Sequence, residues 1–464
     1  MKEYQQIIKE AVERCKPKSS RTKELEYVSQ LVKELINKSI NTISDSRIID
    51  FSIGGSYAKG TWVADETDNI DLDIFVKFDP TVDKHEFEDL GIKVGLSALS
   101  EYNPYLRYSE HPYVEAKIKD IRINVVPCYN VKEGHWKSAA DRSPFHATFM
   151  QEHLTDYMRD QVRILKRFLK SSSIYGSQLA VSGFSGYVTE ILILKYGSFM
   201  NVIKYIATLD HERHLVALHD FESHLIRYFD SKIVIIDPID ARRNLGIAIS
   251  PQSLGKFILT ARSFLEDPSK DYFITTETKM DVAIIEKIRS NLLIVEFTIG
   301  QRSPDILWGQ LRRSLNALSK QLEKAAFNVL LNTCITDEKK NAAFVFLIEF
   351  MTLPPFTLRK GPEIFRNLDT KAFVLKNNLV PYWINKNMKV LTISKRKNLD
   401  AKEFVSEILS GGRIEAGLNK EIMRDLQGGF DIYCGTDREL SRSIISALSR
   451  VILNDGKIVS SKKK

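Results

Sequence analysis

The chain has 464 residues, 43% hydrophobic and 27% charged, a balance that suits a globular protein and, at this length, two to four domains rather than one core. A formal net charge of +8 favours an acidic partner, though only weakly. No apolar run approaches the roughly 18–20 residues that span a bilayer, the first ten residues lack a secretory hydrophobic region, and Cys15, Cys128, Cys334 and Cys434 show neither zinc nor disulfide spacing, so the expected setting is cytoplasmic, with no membrane partner.

Along the chain, Leu25, Val28, Leu31, Val32 and Leu35 recur at helical spacing and predict a helix over 21–38. Residues 48–53, 70–78, 113–118 and 121–127 read as strands, and Pro127 closes this unit near residue 145. A helical stretch from Met150 to Leu169 follows, then a buried helical segment from Leu179 to Phe199. The pattern breaks at Glu266-Asp-Pro-Ser. Beyond it, a long helix from about Ser303 to Ala326 precedes a mixed α/β region. The expected domains are 1–145, 146–265 and 266–464.

The most informative stretch is residues 54–76. An apolar run feeds the turn Gly54-Gly55-Ser56, and a second apolar run carries Asp71 and Asp73 two residues apart. Side chains alternate along a strand, so both carboxylates project from one face with Cα atoms roughly 6.6 Å apart. That spacing suits two Mg²⁺ ions about 3.5–4 Å apart, holding a phosphoryl group between attacking and leaving oxygens. Glycines let backbone approach phosphate closely, and N–H groups at a helix start favour negative charge. A phosphate cradle beside an acidic metal site reads as nucleotidyl transfer.

The stretch Gly55-Ser56-Tyr57-Ala58-Lys59-Gly60-Thr61-Trp62, followed by the Asp71-x-Asp73 pair, resembles the archaeal (class I) CCA-adding enzymes, tRNA nucleotidyltransferases of the DNA polymerase β-like superfamily. Asp141-Arg-Ser-Pro-Phe-His146, Arg163-Ile-Leu-Lys166, Ile174-Tyr-Gly176, Gly183-Phe-Ser-Gly-Tyr187 and Asp237-Pro-Ile-Asp-Ala-Arg-Arg-Asn244 continue the likeness in order; Pro354-Pro and Gly361-Pro362 match more loosely. The resemblance implies an α+β multidomain protein: a polymerase β-like catalytic head with a mixed sheet, a helical neck, and a mixed α/β body and tail that grip the tRNA acceptor arm. It implies addition of CMP, CMP and AMP to a tRNA 3′ end from CTP and ATP, with Mg²⁺ and no template. Gly55, Ser56 and Lys59 would hold the triphosphate, with His146, Lys166 and Tyr175 lining the rest of the site. Arg243 would read the base, since a planar guanidinium serves both cytosine and adenine acceptors; its bland alternative is a salt bridge to Asp237 or Asp240. Taken singly, Lys166 reads as a solvated helix lysine, His146 as a structural histidine and Tyr175 as a core aromatic.

One position departs from the family. The third metal carboxylate is expected in a segment resembling Val-Asp-Val-Val-Pro-Cys-Tyr, and here it is Asn124 in Ile123-Asn-Val-Val-Pro-Cys-Tyr129. An amide oxygen can reach a metal but brings no charge. Asp120 lies four residues earlier, about 13 Å along an extended strand, too far to substitute. Two rivals follow: a tRNA-binding form with impaired catalysis, or another enzyme on the same head, such as a poly(A) polymerase or an oligoadenylate synthetase. In the last third, Lys386, Lys389, Lys395, Arg396 and Lys397 form an acid-free run suited to RNA phosphates, the alternative being a strand edge guarded by lysines. The sequence leaves a homodimer open.

Overall fold

The structure is a computed structural model describing residues 2–63, 70–108, 111–219, 227, 229–274, 282–411 and 417–452. The chain forms two compact units, one built from Met1–Lys279 and the other from Met280–Arg302 and Ile306–Ile452.

The first unit opens with helices α1 (Lys2–Cys15) and α2 (Ser19–Ile43), then strand β1 (Ile48–Ile53), a single helical turn α3 (Gly55–Ala58), β2 (Ile70–Phe78), α4 (Lys84–Ala98), β3 (Tyr105–Tyr108), β4 (Pro112–Ile118) and β5 (Ile121–Tyr129). The strands make one sheet in the order β1-β2-β5-β4-β3, with β2 and β5 parallel and the other pairs antiparallel. Alternation decides its two faces. Leu72, Ile74 and Val76 of β2, with Ile123 and Val125 of β5 and Val114 and Ala116 of β4, point into a core. Leu25, Val28, Val32 and Ile36 of α2 and Phe87 and Val94 of α4 belong to that same core. Each such aliphatic side chain contributes roughly 1.5–3 kcal/mol by leaving water, which fixes the register and so the residues on the opposite face.

The helical half of this unit runs through α5 (Arg142–His153), α6 (Asp156–Ser171), α7 (Gly186–Tyr196), α8 (Phe199–Thr208), β6 (His214–Val216), β7 (Ile233–Asp237), β8 (Asp240–Asn244) and α9 (Pro251–Glu266). The stretch expected as one helix from Met150 is broken, because the Thr155 hydroxyl caps a new helix by accepting from Met158 N–H. The segment from Leu179 is also shorter in helix than expected. Val181 and Ser182 N–H donate to the Gln178 carbonyl and close a turn there, Phe184 bridges to Tyr175, and the Ser185 hydroxyl caps α7 by accepting from Val188 N–H. After Glu266, Tyr272 and Phe273 still pack with Phe168 and Phe264 in this core.

The second unit contains α10 (Val282–Ile288), β9 (Leu292–Thr298), α11 (Pro304–Lys324), β10 (Val329–Thr336), β11 (Asn341–Ile348), β12 (Phe356–Glu363), α12 (Asn367–Lys376), β13 (Tyr382–Ile384), β14 (Lys389–Lys395), α13 (Ala401–Ser410), α14 (Lys420–Gln427), β15 (Phe430–Cys434) and α15 (Arg442–Val451). An antiparallel sheet β10-β11-β9-β15 carries Leu307, Leu311, Leu315, Leu318 and Leu322 of α11 in its main core, and a smaller sheet runs β12-β14-β13. No helix among the described residues is long and apolar enough to cross a membrane.

Candidate active site

The face of the first sheet turned away from the core carries the acidic pair. Asp71 and Asp73 alternate with buried Ile70, Leu72 and Ile74 on β2. The parallel register sets Asp71 beside Arg122 and Asp73 beside Asn124 on β5, and the antiparallel register sets Glu115 of β4 opposite Asn124. Asn124 Nδ2 donates to Asp73 Oδ1 at 2.8 Å. Arg122 lies between two acids, its Nη1 at 3.5 Å from Asp71 Oδ1 and its Nε at 3.6 Å from Glu115 Oε1. Glu115 is 4% exposed and is anchored by the Tyr105 hydroxyl and by Arg107 Nε at 3.1 Å. Burial pushes the Asp71 carboxyl up to about 6, with Asp73 and Glu115 adding to the rise and Arg122 opposing it. Burial raises Asp73 as well, against the hydrogen bond from Asn124.

Two buried oxygens on this face, Asp71 Oδ1 and Asn124 Oδ1, accept no hydrogen bond. With the Asp73 carboxylate they make an all-oxygen donor set of the kind a hard divalent cation takes. Among the described residues no group of three or more His, Cys, Asp or Glu side chains is placed to hold a metal.

The glycine turn is built against this face. Gly54 N–H donates to the Asp73 carbonyl at 2.8 Å. A Cβ on Gly54 would meet the Phe75 ring at 2.4 Å, and one on Gly55, whose φ is +65°, would meet Asp73 Oδ2 at 2.0 Å. Only glycine lets the backbone lie on the carboxylate. The N–H groups of the first turn of α3 have no acceptor within the helix and lie next to the acidic pair.

Behind the turn sits a closed ionic cluster. Glu190 of α7 is fully buried; its Oε2 lies 2.5 Å from Lys59 Nζ and its Oε1 accepts from Thr61 Oγ1 at 2.5 Å. Lys166, 2% exposed, donates to the Thr61 carbonyl at 3.0 Å and lies 3.3 Å from Glu190 Oε1. Burial lowers the Lys166 ammonium to about 8, while for Glu190 burial is outweighed by the two lysines, which hold it low. A second cluster centres on buried Asp237: His146 Nε2 at 2.9 Å, Arg243 Nη1 at 3.1 Å and the Tyr187 hydroxyl at 3.3 Å converge on its carboxylate. The His146 and Tyr187 rings lie 3.8 Å apart, and Lys59 Nζ stands 5.4 Å over the Tyr187 ring, joining the clusters. Burial lowers His146 despite the opposing carboxylate.

Three family models match in chain order. The model for the Second Messenger Oligonucleotide or Dinucleotide Synthetase domain matches residues 1–160, that for the second domain of tRNA nucleotidyltransferase residues 160–274, and that for the CCA-adding enzyme C-terminal domain residues 289–435. A CCA-adding enzyme of Saccharolobus shibatae is 30% identical over 86% of this chain and 91% of its own length, and one of Pyrobaculum islandicum is 30% identical over 90% and 97%. The chain belongs to the archaeal CCA-adding enzymes. Among solved structures, the Cid1 poly(U) polymerase bound to MgGTP aligns over 58% of this chain and 96% of its own at a TM-score of 0.46 and 12% identity, a distant likeness.

The residues singled out from sequence fall in three places. Asp71, Asp73 and Asn124 share the acid face, with Gly55 against it and Ser56 in the same turn. Lys59 and Lys166 sit in the Glu190 cluster, and a Cβ on Gly186 would lie 3.0 Å from the Tyr175 hydroxyl and 3.6 Å from Lys166 Nζ. His146 and Arg243 meet at Asp237, so the salt bridge weighed for Arg243 is present. Asp120 is tied to Arg21 at 2.5 Å, away from the acid face. Sequence reading missed Arg122, Glu115, Glu190 and Tyr187. The first two were accessible: a two-residue turn, Lys119-Asp120, pairs Ile118 with Ile121 and so places Glu115 opposite Asn124. Glu190 gave no such signal, because it sits among apolar residues on a buried helix.

In the second unit Lys389 and Lys395 bound β14, Lys386 precedes it, and Arg396 and Lys397 follow. Lys386, Lys395 and Lys397 are exposed. β14 is the central strand of its sheet, but β13 pairs only with Val390–Thr392, so the end that carries Lys395 is paired on one side, with β12.

Proposed function

We propose that this chain adds CMP, CMP and AMP in turn to the 3′ end of tRNA, taking them from CTP and ATP without a template and releasing pyrophosphate. Residues 1–145 act as catalytic head, 146–265 as neck, with Tyr272 and Phe273 still in the neck's core, and the chain beyond them as body and tail. The observation that carries the reading is the placement of Asp71 and Asp73 on one face of β2, with the Gly54-Gly55-Ser56 turn packed onto Asp73. Membership of the family supports the tRNA end as acceptor.

Asp71, Asp73 and the amide oxygen of Asn124 are the groups that would hold Mg²⁺, which supplies charge neutralisation at the reacting phosphate when bound. Ser56 and the first-turn N–H groups of α3 bind phosphate oxygens. Lys59 and Lys166 present ammonium groups to the triphosphate, exchanging part of their contact with Glu190 for it. His146 and Tyr175 line the nucleotide, and Arg243 bonds the base edge. The 3′-oxygen forms a bond to the α-phosphorus, the α–β bridging bond breaks, pyrophosphate leaves and the hydroxyl proton passes to water. Lys386, Lys389, Lys395, Arg396 and Lys397 hold RNA phosphates.

The hydrogen bond from Asn124 Nδ2 to Asp73 favours a second reading, a chain that binds tRNA and does not turn over. One experiment decides. With labelled CTP and a tRNA lacking CCA, the unaltered chain incorporates label, and Asp73→Ala does so at least about a thousandfold more slowly, roughly 4 kcal/mol of barrier, with tRNA affinity kept. Binding without incorporation selects the second reading; near-normal incorporation by Asp73→Ala removes the metal assignment.

A further inference from the structure

A sheet face built for two divalent cations needs carboxylates enough to hold them, and this one carries an amide and a cation on the same strand. Asn124 replaces an acid, and Arg122, two residues earlier and on the same face, sets Nη1 3.5 Å from Asp71 Oδ1. The guanidinium also faces an acid from behind. Glu115 lies 3.6 Å from Arg122 Nε and is itself held by Tyr105 and Arg107, so four strands carry one chain of alternating charge that ends on Asp71. Lys117, the cross-strand neighbour of Arg122, adds a further positive group at that edge. Like charges repel, so a second divalent ion beside Arg122 would meet a cation where it needs an anion.

We propose that Arg122 takes the place of one of the two cations, so that this face works with a single divalent ion and a guanidinium. The inference rests on the nucleotidyl-transfer reading and deepens it. A guanidinium stays charged at any working pH and presents several N–H donors, so it can neutralise the attacking 3′-oxygen or an α-phosphate oxygen without being recruited from solution. Glu115 is then a positioning residue that aims Arg122.

The test counts ions. The full chain is mixed with tRNA lacking CCA and an α,β-methylene analogue of CTP, and bound Mn²⁺ is followed by electron paramagnetic resonance. The chain binds one Mn²⁺, and Arg122→Gln with Asn124→Asp binds two. Two Mn²⁺ on the unaltered chain, or one on the double variant, overturns the proposal. In parallel, Arg122→Gln slows CMP addition about a hundredfold with Asn124 in place and less than about threefold when Asn124→Asp is also present. A merely structural arginine would give equal losses in both backgrounds. A chain that never incorporates CMP sinks the transfer reading, whereas the ion count judges Arg122 separately.

Discussion

The acid face and the ionic clusters behind it lie in one unit and are built on opposite terms. On the face, Asp71 Oδ1 and Asn124 Oδ1 are buried without a hydrogen bond, and Asp71 and Asp73 are both pushed toward the protonated form. In the clusters the charged groups are answered from within the protein: Lys59 and Lys166 by Glu190, and His146 and Arg243 by Asp237. A buried acceptor left open marks a place that gains from a ligand, while a closed ion pair marks a place that a ligand must open. On the nucleotidyl-transfer reading proposed above, the face takes a cation that comes and goes with the nucleotide. The clusters hold shape until a triphosphate competes for the lysines.

Removing the central anion of the closed cluster breaks the contrast hardest. Glu190→Ala leaves two buried ammonium groups with no carboxylate, and we expect a stability loss of about 3–5 kcal/mol, read from denaturant unfolding. A loss near zero would mean the lysines already face water. On the open face the same kind of change runs the other way. Asn124→Asp restores an anion, and we expect nucleotide addition to rise about tenfold or more, roughly 1.4 kcal/mol for each tenfold, with CTP, ATP and tRNA affinities nearly unchanged. A rate that stays level or falls would show that an added anion brings no second ion beside Arg122.

Much of this is legible in the sequence alone. The strands at 48–53 and 70–78 and the turn between them follow from alternation and glycine, and they deliver Asp71, Asp73 and Ser56 directly. The helix break at Thr155 and the late helix start at Ser185 were not legible, because a capping hydroxyl competes locally against a hydrophobic pattern that runs straight through it. Arg122 and Glu115 needed one more step, carrying the register around Lys119-Asp120 instead of measuring distance along a single strand. Asp237 was visible as a partner for Arg243 but not for His146, since 91 residues separate the two.

Two smaller effects sharpen the picture. If the second unit holds tRNA through phosphates, affinity falls steeply as salt rises from about 50 to 200 mM, and Lys395→Gln, Arg396→Gln and Lys397→Gln together flatten that slope; an unchanged slope moves the contact elsewhere. Lys166 titrates near 8 in the folded chain, below its ordinary 10.5, so between those values the unfolded chain binds more protons. Stability of the unaltered chain relative to Lys166→Met therefore rises with pH from about 8 to 10.5, by at most about 1.4 kcal/mol per pH unit. A falling difference would mean that Glu190 holds the ammonium more firmly than burial strips it.

The central claim, that this open face completes tRNA ends, is tested most directly by reading the product. Incubated with CTP, ATP, Mg²⁺ and a tRNA lacking CCA, the chain should yield an RNA longer by C, C and A in that order, with extension stopping there. Runs of A beyond that point, or no extension of tRNA alongside efficient linkage of free nucleotides to one another, would contradict it.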